Sequence, residues 1–456
     1  MQQDFNLFAY LALFGWPLIS LLLYKNMPVY QATVWTVLGA MLLLPVGAGV
    51  KIVGIPQIDK AFVATICALV GCLFASQNRL RLWTEFGLVE ILILYFVISP
   101  LLTSILNGDT IYFATGAIAG VGVYDGISAS ISQVLFIIPF LLGRAALRSA
   151  QSGEATLKIL ATSGLCYSAL LLFEIRFSPQ LHYWAYGVTP GQFLQSVREG
   201  GYRPMAFMGH GLLAAFYLMT ATVAAVALWR LSRKIFIFPA GGLAAFLFGV
   251  LVLCKSLGAL IYGVFCAPVV RFASPTNQCR IAVLLALLAV TFPLLRISNV
   301  FPTSSLVEIA SFVNEERGAS LKFRFDNEDR LLEKANERFW FGWGRYARSR
   351  AYDEEGRDLS ITDGYWIITF GQFGWLGFLG AFLLITLPVL RAYSALRHIG
   401  VESQQLVISA ISLIVALVAV EQLPNASVSP WTWLLAGSLL GQAEAYKKHA
   451  YMRTRH

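Results

Sequence analysis

Residues 211–229 read GLLAAFYLMTATVAAVALW, an unbroken run without one charged side chain. Coiled as an α-helix, a run of that length rises almost as far as the roughly 30 Å of hydrocarbon in a bilayer. Comparable apolar runs lie at 6–24, 32–50, 61–76, 86–106, 130–142, 157–175, 235–253, 257–270, 281–295, 374–390, 406–420 and 431–445, with short polar breaks between most of them. The pattern predicts an all-α, polytopic integral membrane protein of about 12 to 13 transmembrane helices. Composition agrees, since the 456 residues are 57% hydrophobic and 13% charged, more apolar than a soluble core of this size requires.

One segment breaks the pattern. The chain has 34 Lys and Arg and 25 Asp and Glu, and residues 298–364 alone hold 10 of the former and 13 of the latter. Charges this dense do not sit in hydrocarbon, and a connection this long is uncommon unless it works. The chain therefore reads as a single transmembrane domain over 1–456 with a large water-facing loop at 297–363. Within it Leu331, Leu332, Ala335 and Phe339 share one helical face. Asp326 and Asp329 suit the start of a helix and Gly342 its stop, so 327–340 reads as an amphipathic helix lying on the membrane surface. The run Phe339, Trp340, Phe341, Gly342, Trp343, Gly344 suits an interfacial turn.

The basic residues give the orientation. Arg79 and Arg81, Arg144 and Arg148, Arg230, Arg233 and Lys234, Arg271 and Arg280, Arg391 and Arg397, and the tail Lys447, Lys448, Arg453 and Arg455 fall on alternate connections. By the positive-inside rule these face the cytoplasm. Residues 107–129 and 176–210, the short turn at Lys255 and the charged loop then face outward, and thirteen spans would put the N-terminus outside too. The net charge of +9 is thereby topological. No basic stripe with aromatic interleaving appears, so nucleic acid is not an expected partner.

Other classes find little support. Cys67, Cys72, Cys166, Cys254, Cys266 and Cys279 lie in or beside apolar segments without CxxC spacing and read as packing residues. The first apolar run lacks a basic start and a small-residue cleavage site, so no cleavable signal peptide is expected. The five scattered histidines give no metal-ligand spacing, and no Walker loop, GxSxG or HExxH occurs. There is no internal repeat, and of the ionisable residues Glu90, Glu174, Lys255 and Glu421 three sit at span ends, which weighs against a transporter.

Three outward connections carry groups suited to chemistry. The first ends REGGYRPMAFMGHG over 198–211, which sets Arg203 and the imidazole of His210 at the mouth of a helix whose free N–H groups favour anions. The bland alternative is that Arg203 snorkels to headgroups and His210 is an interfacial cap. Glycine on both sides of His210 points to close approach by something else. In the second connection, Lys255 is either a snorkelling anchor or a point charge for phosphate. In the charged loop Arg317, Lys322, Arg324 and Arg330 alternate with carboxylates, and Arg345, Arg348 and Arg350 precede Asp353, Glu354 and Glu355. Most such pairs are solvated surface worth little each. Arg324 stands out because it lies between Phe323 and Phe325, which would anchor it to the membrane face. Asp363, in the closing run LSITDGYW with Tyr365, is either the N-cap of the next helix or a base at the membrane surface.

These elements occur in a familiar order: Arg203 to Gly211 at a helix mouth, Lys255-Ser256-Leu257-Gly258 in the next outward turn, then a large loop with Ser320 to Arg324, Gly342-Trp343-Gly344 and DGYWIITFGQFGWLGF over 363–378. Over the central and C-terminal two-thirds of the chain the order resembles the O-antigen ligase and polymerase family, the multispanning glycosyltransferases of bacterial cell-surface polysaccharides. The resemblance implies a multi-pass protein of the bacterial inner membrane with a periplasmic catalytic face, acting on glycans carried by undecaprenyl diphosphate as donor and acceptor. Membrane lipid and other polysaccharide export or assembly proteins are the further partners it implies. In this family outer-loop arginines engage the diphosphate, and Arg203 and Arg324 match best, with Lys255 where the family often has Ser-Arg. Ligases of the family carry a His-Asn pair where the loop enters the next helix, whereas this chain has Asp363-Gly364, which weighs against a ligase and a His-based mechanism there.

The residues also fit such chemistry on their own. Displacing a diphosphate from an anomeric carbon builds negative charge on the leaving group, which fixed Arg and Lys donors stabilise in a partly dry site. The activity the resemblance implies is then a polymerase without cofactor, which needs no metal if the cations supply the charge. Arg203, Lys255, Arg324, Arg317, Arg345 and Tyr365 are expected to bind substrate, and Asp363 or His210 to serve the acceptor hydroxyl. The alternatives are a ligase that moves a finished glycan to lipid A core or another acceptor and, from another class, a transporter or flippase of lipid-linked sugars.

Overall fold

A computed structural model describes residues 4–52, 55–76, 82–83, 86–191, 193–198 and 200–453. The expectations on Arg79, Arg81, Glu199 and Arg455 fall outside these residues. Apolar runs become helices because in hydrocarbon every backbone N–H and C=O must be satisfied within the segment. The first half holds α1 (Leu7–Asn26), α2 (Val29–Leu43), α3 (Lys60–Ala75), α4 (Leu88–Ile105), α5 (Val123–Ala146), α6 (Ala150–Phe177) and the short α7 (Leu181–Tyr186). The second half holds α8 (Gly211–Arg230), α9 (Ala240–Leu253), α10 (Leu257–Phe272), α11 (Pro275–Ile297), α12 (Thr303–Val313), α13 (Glu315–Asn336), α14 (Tyr365–Leu396), α15 (Glu402–Glu421) and α16 (Pro430–Arg453). By length and composition eight of these can cross a membrane (α1, α4, α5, α6, α8, α11, α14 and α15), and α2, α3, α9 and α10 are shorter apolar helices. Among the described residues, strand is limited to four short antiparallel hairpins. The all-α, membrane-type architecture expected from the sequence is what the chain forms.

The bundle is organised around α8, which is buried on nearly all sides and packs on α6, α9 and α10. Its many alanines and threonines let neighbouring backbones approach, which is how helices associate when lipid is as apolar as the helix surface. The α5–α16 contact is the closest of this kind. A Cβ on Gly437 would stand 1.9 Å from the Phe140 carbonyl oxygen, so no larger residue fits. Lipid-facing positions include Leu7, Phe8, Leu11, Phe14, Leu18, Leu21 and Leu22 of α1, Ile91, Leu94 and Ile98 of α4, and Ile261, Val264 and Phe265 of α10, all exposed.

The two ends of the bundle differ. At one end Arg144 bridges Glu90 and Glu444, at 2.7 Å each, and so ties α4, α5 and α16 together. Nearby connections carry Arg230, which donates to the Val270 carbonyl at 3.0 Å, and Arg233, which pairs with Glu154. The other end carries the long connections, including α12 and α13.

The charged segment is fastened to that second end rather than draped over it. Helix α13 begins twelve residues earlier than the 327–340 expected from its apolar stripe, and ends at Asn336. Asn314, accepting from the N–H groups of Glu316 and Arg317, is its N-cap, not Asp326 or Asp329. The reason is that the first three turns set five charges among Leu321, Phe323 and Phe325, and the apolar positions there are too sparse to mark the start. The expected apolar face exists, but Leu331, Leu332 and Ala335 are buried in the same core as Trp366 of α14 instead of facing lipid. Arg296 of α11 reinforces the contact with its Nη2 2.7 Å from Asp329 and its Nε 3.5 Å from Glu328, and the Trp366 indole N–H donates to Glu328 at 3.4 Å.

Beyond α13 the chain threads into α14. That helix breaks at Gly374 (φ 70°, ψ −172°), and the loop backbone takes up the freed groups. Trp343 N–H donates to the Gly371 carbonyl at 2.9 Å and Gly344 N–H to Gln372 at 2.8 Å, while Trp375 N–H donates to Phe339 at 2.7 Å. A Cβ on Gly374 would meet the Trp340 carbonyl carbon at 2.3 Å, so glycine is required there for space as well as for its positive φ. The run expected to be an interfacial turn is therefore a backbone clasp on a broken helix. Arg348, expected among solvated surface charges, is fully buried and donates to the carbonyls of Trp343 and Ala119 and to Asp109. Asp109 also pairs with Arg338 at 2.7 Å, and this bond above all holds its carboxyl below the usual carboxylate range.

Candidate functional site

Two adjoining clefts open at the loop-bearing end, of about 570 Å³ and 500 Å³. The first is lined by Arg203, His210, Ser320, Arg324, Asp363 and Glu421 among others. The second is lined by Arg203, Lys255, Arg317, Ser320, Arg324 and Glu421, with an apolar flank from Leu257, Ala259 and Tyr262 of α10 and Ala310 of α12. Groups far apart in sequence, on five connections or helix ends, thus meet in one place. Of the eight expected site residues six line these clefts. Arg345 and Tyr365 line neither: Arg345 lies 5.6 Å from the Tyr346 ring, and Tyr365 stacks on Phe382 inside the bundle.

Arg203 and Lys255 are held by each other's surroundings. Lys255 has a left-handed φ of 50° in the tight turn between α9 and α10, which presents its carbonyl to Arg203 Nη2 at 3.1 Å. The flanking glycines are explained by close approach, as their spacing suggested. A Cβ on Gly211 would stand 2.5 Å from the Arg203 side-chain stem, and one on Gly209 (φ 85°) 2.9 Å from Val46. Glycine at 211 lets the Arg203 stem lie across the start of α8.

His210 is the N-cap of α8, where its Nδ1 accepts from the Leu212 N–H at 3.1 Å. An imidazole nitrogen that accepts carries no proton, so the neutral ring has its proton on Nε2 and presents a donor there. Held this way, His210 offers a hydrogen bond rather than a base.

Asp363 is not a helix cap. Gly364 is the N-cap of α14, and the first N–H groups of that helix go instead to the turn after α15, from Tyr365 to the Asn425 carbonyl at 3.1 Å and from Trp366 to Gln422 at 3.3 Å. A Cβ at Gly364 would lie 2.1 Å from the Leu423 carbonyl oxygen, so the Asp363-Gly364 pair is fixed against that turn. The Asp363 carboxylate stands 3.9 Å from Arg324 Nε, and Arg324 Nη1 donates to the Pro424 carbonyl at 3.4 Å. Of its two flanking aromatics, Phe325 packs on Phe301 and the Arg296 guanidinium, while Phe323 is exposed beside the first cleft. Arg324 is therefore aimed by α13 docking, by the 422–425 turn and by Asp363 together.

Sequence reasoning missed the turn itself. Glu421 was noted only as an ionisable residue near a span end, yet it is 6% exposed and lines both clefts, its Oε1 accepting from Asn425 at 2.7 Å. Gln422 and Ser427 close the turn by reciprocal bonds of 2.7 and 2.9 Å. The only hint was the polar run QLPNASVS between two apolar stretches.

The arrangement suits an anionic ligand with an adjacent polar one. Guanidinium forks grip phosphate oxygens by paired N–H donors, and an ammonium adds a compact charge. Among the described residues no three His, Cys, Asp or Glu side chains are grouped to hold a metal ion. No known family model matches the chain, and no curated protein does.

Proposed function

We propose that the protein is a polysaccharide polymerase that joins undecaprenyl-diphosphate-linked oligosaccharide repeat units at the periplasmic face of a bacterial inner membrane. In this reading all helices but α7, α12 and α13 cross the bilayer, thirteen in number, with the Arg144 end in the cytoplasm. One observation carries the reading: Arg203, Lys255, Arg317 and Arg324 converge on a cleft pair that also holds His210, Asp363 and Glu421, at the end of the bundle where a lipid-borne substrate would enter.

The chain's residues have plain tasks in such a transfer. An acceptor hydroxyl attacks the anomeric carbon, the bond to the diphosphate oxygen breaks, and the electron pair leaves with undecaprenyl diphosphate. Arg203, Lys255 and Arg324 stabilise the charge that grows on that leaving group. His210 donates from Nε2, and Asp363 orients Arg324 and the hydroxyls of the incoming sugar. A transporter reading has one feature in its favour, the broken helix α14. The clasp satisfies the groups freed by that break, however, and neither cleft includes residues of it.

The test is transfer by purified Arg203→Ala and Arg324→Ala variants in liposomes holding a lipid-linked repeat unit. Each is expected to slow lengthening by about 10²-fold or more. Full activity of both would refute the assignment of the site. Transfer only to a chemically different acceptor, such as lipid A core, would make the protein a ligase.

A further inference from the structure

Two clefts that share a wall pose a sharper question, because in a transfer between two lipid-linked substrates the reacting atoms must meet at that wall. The residues common to both clefts are Arg203, Leu212, Ser320, Arg324, Glu421 and Asn425. Arginine stays charged, and leucine, serine and asparagine are not bases at neutral pH, so Glu421 is the one member able to take a proton. Asp363 and His210 line only the first cleft, and Lys255 and Arg317 only the second.

We infer that Glu421 is the general base of the transfer. The inference rests on the polymerase reading. As the acceptor oxygen bonds to the anomeric carbon and the diphosphate departs with its electron pair, the hydroxyl proton passes to the Glu421 carboxylate. Asn425 fixes that carboxylate through Oε1 at 2.7 Å, and Arg324 in the same wall faces the leaving group.

The position is a poor one for a carboxylate with no task. Glu421 is the last residue of α15, at the carbonyl end of the helix, where the macrodipole disfavours negative charge. It is also 6% exposed in an apolar bundle, where ionisable side chains are costly and mark functional positions. Packing alone would be served better there by glutamine.

The experiment compares wild type, Glu421→Gln and Asp363→Asn, each as the full chain. Repeat-unit lengthening is measured in liposomes, and binding of undecaprenyl diphosphate in detergent. Glu421→Gln is expected to lower kcat by about 10²–10⁴-fold while KM and undecaprenyl diphosphate binding stay at wild-type levels. Asp363→Asn is expected to retain more activity than Glu421→Gln. Wild-type turnover by Glu421→Gln overturns the inference, and so does joint loss of turnover and binding, which marks a structural role. If the wild-type protein itself lengthens nothing, the polymerase reading falls and the inference with it.

Discussion

Replacing Glu328 by glutamine asks what holds the charged segment to the bundle. Glu328 lies on α13 one turn beyond Arg324, largely buried beside Arg296 and Trp366. Burial pushes its carboxyl up from an ordinary 4.5 to about 7, with the Arg296 charge offsetting only part of the cost. The gap corresponds to about 3 kcal/mol between the two protonation states. Because the docked pKa is the higher one, this stabilisation of docking is fully present below pH 4.5. It fades as pH rises and is lost above about 7. Glutamine mimics the neutral acid at every pH, so Glu328→Gln keeps the tight docking that the wild type has only in acid. Hydrogen exchange of the α13 amides, corrected for intrinsic rates, reads the opening directly. At pH 4 the two proteins should be about equally protected, and at pH 8 the wild type should open about 300-fold more often. Protection of the wild type that rises with pH, or exceeds that of the glutamine variant at pH 8, would show that the Arg296 ion pair outweighs desolvation and would refute the reasoning.

Three further outcomes follow from the same contacts. Gly374→Ala forces a Cβ against the Trp340 backbone and a positive φ on alanine, so loss of the clasp should cost several times the ~1 kcal/mol of one hydrogen bond. Thermal unfolding in detergent reads this, and an unchanged midpoint would contradict the clasp. Arg348→Ala strands the buried Trp343 carbonyl and should destabilise by about 1–3 kcal/mol, whereas Arg357→Ala, at an exposed pair with Asp353 and Glu355, should leave the midpoint nearly unchanged. Equal midpoints for the two would show that burial does not separate them. Arg345→Ala should leave transfer unchanged, since Arg345 lines neither cleft, and a loss matching that of Arg324→Ala would extend the site to it.

What the sequence made legible follows from which interactions are local. Apolar runs announce spans because each helix satisfies its own backbone, and so the stretch at 211–229 reads correctly as one helix. Arg203, His210, Lys255, Arg324 and Asp363 stand out because polar groups beside spans are few. Three features escaped, each for a physical reason. The start of α13 hides in a charge-rich stretch with few apolar positions, where Asn314 is the true signal. The clasp between 339–344 and 371–376 is made by backbone groups, which leave no side-chain pattern except the glycines. Arg348 and Glu421 look like a surface charge and a span-end residue, and only the tertiary fold reveals that one is a buried strut and the other the wall of two clefts.

The proposed reaction itself is reached most directly with wild-type protein in liposomes that contain a single species of lipid-linked repeat unit and no other acceptor. Glycans of two, three and more units should appear on the lipid, with one undecaprenyl diphosphate released for each bond made. A repeat unit that stays the same length, whether or not it moves between leaflets, would contradict a polymerase.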